Sequence, residues 1–146
     1  MTVIDFPTDP ALVAAVEEVF TRYAIKLAPV PPEWNIGSRK RKSLASKDRN
    51  KKRSVLARRD GAHCTYCGTD LTDLRQATID HVIPYRLVRS WASWNLALAC
   101  KGCNEAKDDH IPAVLMPLLA HLVYRIAVMN GAPVERSLVP AKVVTV

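Results

Sequence analysis

Cys64-Thr65-Tyr66-Cys67-Gly68 and Cys100-Lys101-Gly102-Cys103 stand with 32 residues between them, and midway runs Thr78-Ile79-Asp80-His81-Val82-Ile83-Pro84. Two residues between thiolates let one tight turn aim both sulfurs at a single ion. Two such turns supply the closed tetrahedron that structural Zn²⁺ takes. Gly68 and Gly102 ease the backbone at the turns. A site closed by Cys64, Cys67, Cys100 and Cys103 keeps no position open for water, so this metal is structural rather than catalytic. Two disulfides, or free thiols, are the other reading of the same four residues. His63 abuts the first knuckle in sequence; with four cysteines at hand it reads as a neighbour, not a ligand.

The run between the knuckles is β-rich from Thr78 to Ile83, and Pro84 stops it. Within it, Asp80 and His81 are adjacent. Histidine takes a proton from water near neutral pH, and a carboxylate suits a hard divalent cation. Neighbours on a regular strand point to opposite faces. The two therefore either sit apart as ordinary strand residues or serve one site because the strand ends or twists there. Asn95-Leu96 precedes the second knuckle, Asn104 follows Cys103 directly, and Lys107 lies three residues further on.

Taken in order, the first Cys-x-x-Cys, the Asp-His strand ending near proline, the Asn-Leu pair and the second Cys-x-x-Cys with Asn104 and Lys107 resemble the HNH, or His-Me finger, endonuclease family. The lead-in Ala57-Arg58-Arg59-Asp60-Gly61 is also similar to it, and the resemblance covers about Val55 to Pro112. It implies an α+β chain with a ββα-metal core, two zinc knuckles, and flanking N- and C-terminal helices. It implies that His81 is the general base that activates water, that Asp80 and Asn104 hold a catalytic Mg²⁺ or Mn²⁺, and that Asn95 holds the loop and orients His81. Where many relatives carry a third histidine this chain has Asn104, a neutral carboxamide that still suits a hard cation but makes zinc a poor choice at that position. The loop after Pro84, Tyr85-Arg86-Leu87-Val88-Arg89-Ser90-Trp91, lacks the glycine pair common in relatives and reads as a helical turn.

Outside this segment the chain divides by composition. Thr8-Asp9-Pro10 reads as a helix start. Val13, Val16, Val19, Phe20, Tyr23 and Leu27 recur at helical spacing and predict an amphipathic helix to about Lys26. Pro29, Pro31 and Pro32 end it in a stiff linker. Ile36 to Ser46 reads as a polar, basic connector, and a second helix spans Lys47 to Arg59 with Gly61 placed to cap it. Four units follow: 1–36, helix and Pro-rich linker; 37–54, basic arm; 55–112, nuclease core; 113–146, apolar helix and extended tail.

Charge is unevenly spread. Residues 39–59 carry eleven basic side chains and one acid, a net +10 against +7 for the whole chain, so the remainder is at −3. A basic arm on a mildly acidic body favours a polyanion. With the resemblance, the implied partner is double-stranded DNA, contacted by Arg39, Lys40, Arg41, Lys42, Lys51, Lys52, Arg53 and Lys107. A solvated charge run is the plainer reading of the arm.

The stretch from Pro112 to Asn130 is nearly continuous apolar sequence and approaches a membrane span in length. His121 and Arg125 inside it, and Pro117 interrupting it, argue against insertion. It reads either as a core helix against the first helix or as a homodimer interface, since a helix apolar on all sides needs cover all round. No secretory signal opens the chain, which points to the cytoplasm, and the resemblance implies a bacterial or phage-encoded protein. A zinc-knuckle nucleic-acid-binding protein without catalysis is the rival reading. It would share the cysteines and the basic arm but gives no reason for Asp80, His81, Asn95 and Asn104 to occur together.

Overall fold

The computed structural model describes residues 10–19, 25–32, 34, 43–85, 87–88 and 90–129. Among the described residues, four α-helices and four short strands make an α+β fold: α1 (Pro10–Val19), β1 (Leu27–Ala28), α2 (Ser46–Asp60), β2 (Thr78–His81), β3 (Leu96–Ala99), α3 (Lys101–Lys107), β4 (Ile111–Pro112) and α4 (Met116–Met129).

The antiparallel pair β2–β3 is the centre. Its register sets Thr78 against Ala99, Ile79 against Leu98, Asp80 against Ala97 and His81 against Leu96. Residues opposite one another share a face, so Ile79, His81, Leu96 and Leu98 lie on one side and Asp80 with Ala97 on the other. All four residues of β3 are buried. Ile79, Leu96 and Leu98 join Leu56 of α2 in one apolar cluster. Ala97 and the residues that leave β2, Val82 and Ile83, join a second cluster with α1 and α4. The hairpin is thus clamped between two cores.

α2 is a helix of an unusual kind for its place, since Leu56 is its one fully buried side chain among the described residues. Asp48 in the first turn and Arg58 and Arg59 in the last match the helix dipole. Gly61, at φ 91°, ends the helix with its N–H on the carbonyl of Ala57 at 2.8 Å. Polar ties do much of what an apolar face would. Arg53 Nε donates to the carbonyl of Ala77 at 2.9 Å, Lys52 Nζ to Ser93 Oγ at 3.3 Å, and Arg59 to the carbonyls of Ser93 and Leu96 at 2.6 and 2.7 Å. The helix runs unbroken through residue 54, where the composition changes from arm to core.

Two sequence expectations are corrected. The first helix does not reach Lys26: Ile25 and Lys26 are already non-helical, and Leu27–Ala28 form β1, paired with Ile111–Pro112. Leu27 fits the helical period but is 38 % exposed; a strand partner more than eighty residues away decides its conformation. The apolar stretch after Pro112 is not one helix apolar on all sides. Pro112 belongs to β4, a single 3₁₀ turn covers Ala113–Leu115, and α4 begins at Met116. Leu115, Leu119, Leu122 and Val123 are buried, while Pro117, His121, Arg125 and Val128 form an exposed stripe. No helix among the described residues is long and apolar enough to cross a membrane. Thr8, proposed to cap α1, and the tail from Asn130 lie outside the described residues.

Candidate functional site

The first knuckle is a turn closed by Gly68 N–H on the carbonyl of Cys64 at 2.9 Å and by Cys64 N–H on the carbonyl of Thr69 at 2.8 Å. Gly68 adopts φ 77°, which a side chain would strain. Thr65 N–H reaches the carbonyl of Leu98 at 2.9 Å and fastens the knuckle to β3. The second knuckle is the start of α3. Cys100 caps the helix, its Sγ accepting from Cys103 N–H at 3.4 Å. The two turns bring four sulfurs within 4.8 Å of one another, with Cys67 and Cys100 Sγ at 3.9 Å.

All four thiols are free of disulfides. A tetrahedral zinc with bonds of about 2.3 Å spaces its sulfurs by roughly 3.8 Å, so the cluster fits the ion closely. The four cysteines are positioned to form a zinc site, and His63 is not among the group. Hydrogen bonds to the Thr69 side chain, then its backbone, lower the Cys67 thiol to about 6, whereas the bond with Cys100 and then burial push Cys103 up to about 12.

β2 carries the two residues that the sequence pairs. Asp80 and His81 turn to opposite faces, as the strand register requires, and their partners differ accordingly. Asp80, 4 % exposed, accepts from the Tyr66 hydroxyl in a short hydrogen bond and from Lys107 Nζ at 3.2 Å. Burial first, then the Asp80 carboxylate, hold the Tyr66 proton well above its ordinary range, so the phenol donates. His81, 2 % exposed, meets the rings of Trp91 and Tyr85 edge-on at 4.5 and 5.4 Å. Lys107 Nζ also donates to the His81 carbonyl at 2.9 Å, so one ammonium holds the two consecutive residues.

Asn95 sits at the foot of β3, fully buried. Its carbonyl accepts from Val82 N–H at 2.9 Å, extending the ladder past His81. Its side chain then imitates one more strand residue: Oδ1 accepts from Ile83 N–H at 2.8 Å and Nδ2 donates to the Ile83 carbonyl at 2.9 Å. The chain leaving His81 is thereby fixed. The following loop makes the turn expected of it, with Leu87 and Val88 N–H both on the carbonyl of Pro84. Asn104, half-buried in the first turn of α3, lines a cleft of about 310 Å³ together with Thr78, Ile79 and Trp91.

Residues 64–117 match the model of the HNH endonuclease family. The matched HNH segment is a little over a third of the chain. It holds both knuckles, the β2–β3 hairpin and α3, and it ends where α4 begins. No curated protein and no solved structure matches the chain.

Within the HNH segment one sequence assignment falls. Lys107, taken as a DNA contact, is 1 % exposed and paired with Asp80. A side chain so enclosed does not reach a phosphate. The signal was present: Asn104 and Lys107 are three apart and share a helix face, and that face turns inward. Lys52 and Arg53 are half-buried and tied to the hairpin, Lys51 is exposed, and Arg39 to Lys42 lie outside the described residues. Sequence reasoning missed Tyr66 as the partner of Asp80, for nothing at the second variable position of a knuckle marks a contact 14 residues away.

Replacing Lys107 by methionine keeps the bulk and removes the charge. Asp80 then stays buried without its ammonium, a loss expected to cost about 3–5 kcal/mol. Urea denaturation of the zinc-loaded protein measures it, and an unchanged midpoint would show that the pair contributes no stability.

Proposed function

We propose that the chain hydrolyses phosphodiester bonds of DNA, with His81 as general base. The observation that carries the reading is that His81 ends β2 on a backbone pinned by Asn95, beside the helix that presents Asn104, inside the segment that matches the HNH family.

The donor set suits a hard divalent cation. Asp80 offers a carboxylate and Asn104 a carboxamide oxygen. Lys107 ties the Asp80 carboxylate to α3, the helix that carries Asn104. Bound there, Mg²⁺ or Mn²⁺ would stabilise negative charge on the phosphate and on the departing 3′ oxygen. His81 takes the proton from the attacking water. Trp91 and Tyr85 hold its ring, and Asn95 fixes the turn that follows. The products are a 5′-phosphate and a 3′-hydroxyl.

Two observations favour the second reading, a nucleic-acid-binding zinc module without catalysis: Asp80 and His81 turn to opposite faces of β2, and both are almost wholly covered. Incubating the protein with supercoiled plasmid and Mg²⁺ or Mn²⁺, beside an EDTA control, separates the two. Nicking or linearisation that EDTA abolishes is the expected result. A retarded but intact plasmid under every metal condition would support the module instead.

A further inference from the structure

The cleft that Asn104 lines has a wall that lies outside the matched segment. Arg49 and Arg53 of α2 form it, facing Thr78 of β2 and Asn104 of α3, with Leu44 and Trp91 as apolar surface. The arginines are four apart and therefore on one helix face. No acidic side chain lines the cleft among the described residues, and neither arginine forms an ion pair there.

The two guanidiniums are prepared differently. Arg53 commits Nε to the carbonyl of Ala77 and Nη1 to Asn50 Oδ1 at 2.8 Å, which fixes its plane and leaves Nη2 without a partner among the described residues. Arg49 is exposed and spends only Nη2, on Ser46 Oγ at 3.2 Å. Its Nε and Nη1 remain available. Unopposed arginine in a concave site concentrates positive potential, and a planar fork matches the oxygens of a phosphate. Trp91 joins this cleft to the catalytic candidate, since the same indole lies against His81.

We infer that the cleft is a subsite for one nucleotide of the substrate strand, with Arg49 and Arg53 holding the phosphate adjacent to the scissile one. The inference rests on the nuclease reading for the identity of the strand. α2, which precedes the HNH segment, would then be part of the substrate site rather than a loose basic arm. The cleft's volume is at the lower end of the range for small-ligand sites, enough for a nucleotide unit and not for a duplex. Leu44 and Trp91 offer apolar surface to the sugar and base, and base–aromatic contact is tolerant of sequence.

The test is fluorescence anisotropy of a short labelled DNA duplex on the zinc-loaded protein, in buffer without Mg²⁺ or Mn²⁺, for wild type, Arg49→Gln and Arg58→Gln. Arg58 is exposed and, by the 3.6-residue period, on the far side of α2 from Arg49; it controls for loss of charge alone. Arg49→Gln is expected to weaken binding roughly tenfold and to lower the salt slope by about 1, with Arg58→Gln near wild type. With Mn²⁺, the same substitution raises KM more than it lowers kcat. Equal weakening by both variants, or none by Arg49→Gln, overturns the subsite. Cleavage that is unaffected by Arg49→Gln sinks the subsite and leaves the nuclease standing. Arg49-dependent binding without any cleavage does the reverse. A wild-type protein that does not bind the duplex overturns both. Circular dichroism melting of Arg49→Gln should match wild type, because the only bond lost among the described residues is an exposed one to Ser46.

Discussion

Replacing His81 by alanine is expected to reduce plasmid cleavage by a factor of about 10²–10⁴ while zinc content and duplex binding stay at wild-type levels. That range is what a positioned general base contributes. The separation of readouts follows from where the residue sits. The residues grouped for zinc are the four cysteines and not His81, and its backbone carbonyl rather than its ring takes the bond from Lys107. The imidazole itself contacts Trp91 and Tyr85, so alanine leaves a void under two rings. A companion His81→Asn variant keeps part of that volume and a polar edge but cannot accept a proton near neutral pH. If the loss were one of ring support alone, Asn would restore much of the rate. If it is loss of the base, both variants fail equally. Cleavage by His81→Ala at the wild-type rate would remove His81 from the chemistry.

The local parts of this molecule were readable in its sequence, and the parts decided at a distance were not. Cysteine spacing specified two turns, and the turns meet. The β-rich run from Thr78 gave β2, though the strand ends at His81 rather than Ile83, because Asn95 supplies side-chain atoms where a further strand residue would pair. Gly61 caps α2 as placed. In contrast, Leu27 satisfied a helical period, and its strand partner lies near residue 112. Lys107 was read as a DNA contact, and its carboxylate partner is 27 residues earlier. The same holds for α2, where counting charge put Arg53 among the DNA contacts and Arg59 in the same basic run. The structure gives both arginines carbonyls of the hairpin region to hold. A charge count cannot distinguish a cation that waits for a ligand from one already occupied by the backbone, and that distinction is what sets Arg49 apart.

Removing zinc is expected to have the largest effect on the fold. The hairpin's first connection starts from one knuckle and α3 begins inside the other, so the ion joins the two ends of the β2–β3 unit. Apparent binding energies of structural zinc are on the order of 10 kcal/mol or more at neutral pH, comparable with the whole stability of a small domain. α3 has only seven residues, too few to persist without tertiary support, and it carries Asn104 and Lys107. A chelator strong enough to strip the ion, or Cys67→Ser and Cys103→Ser together, should therefore melt α3, release Lys107 from Asp80 and abolish cleavage even when Mg²⁺ or Mn²⁺ is supplied in excess. Acidification acts in the same direction, because protons compete with the metal for thiolates. The measurement is zinc stoichiometry by metal analysis alongside near-ultraviolet circular dichroism, where Trp91, packed on His81 and on the core around Leu56, reports the hairpin. Zinc should be bound at one ion per chain and its loss should coincide with loss of the tryptophan signal. Were the signal to persist in the stripped protein, the apolar clusters on either side of the hairpin would be sufficient by themselves, and the four cysteines would be holding a metal the fold does not need.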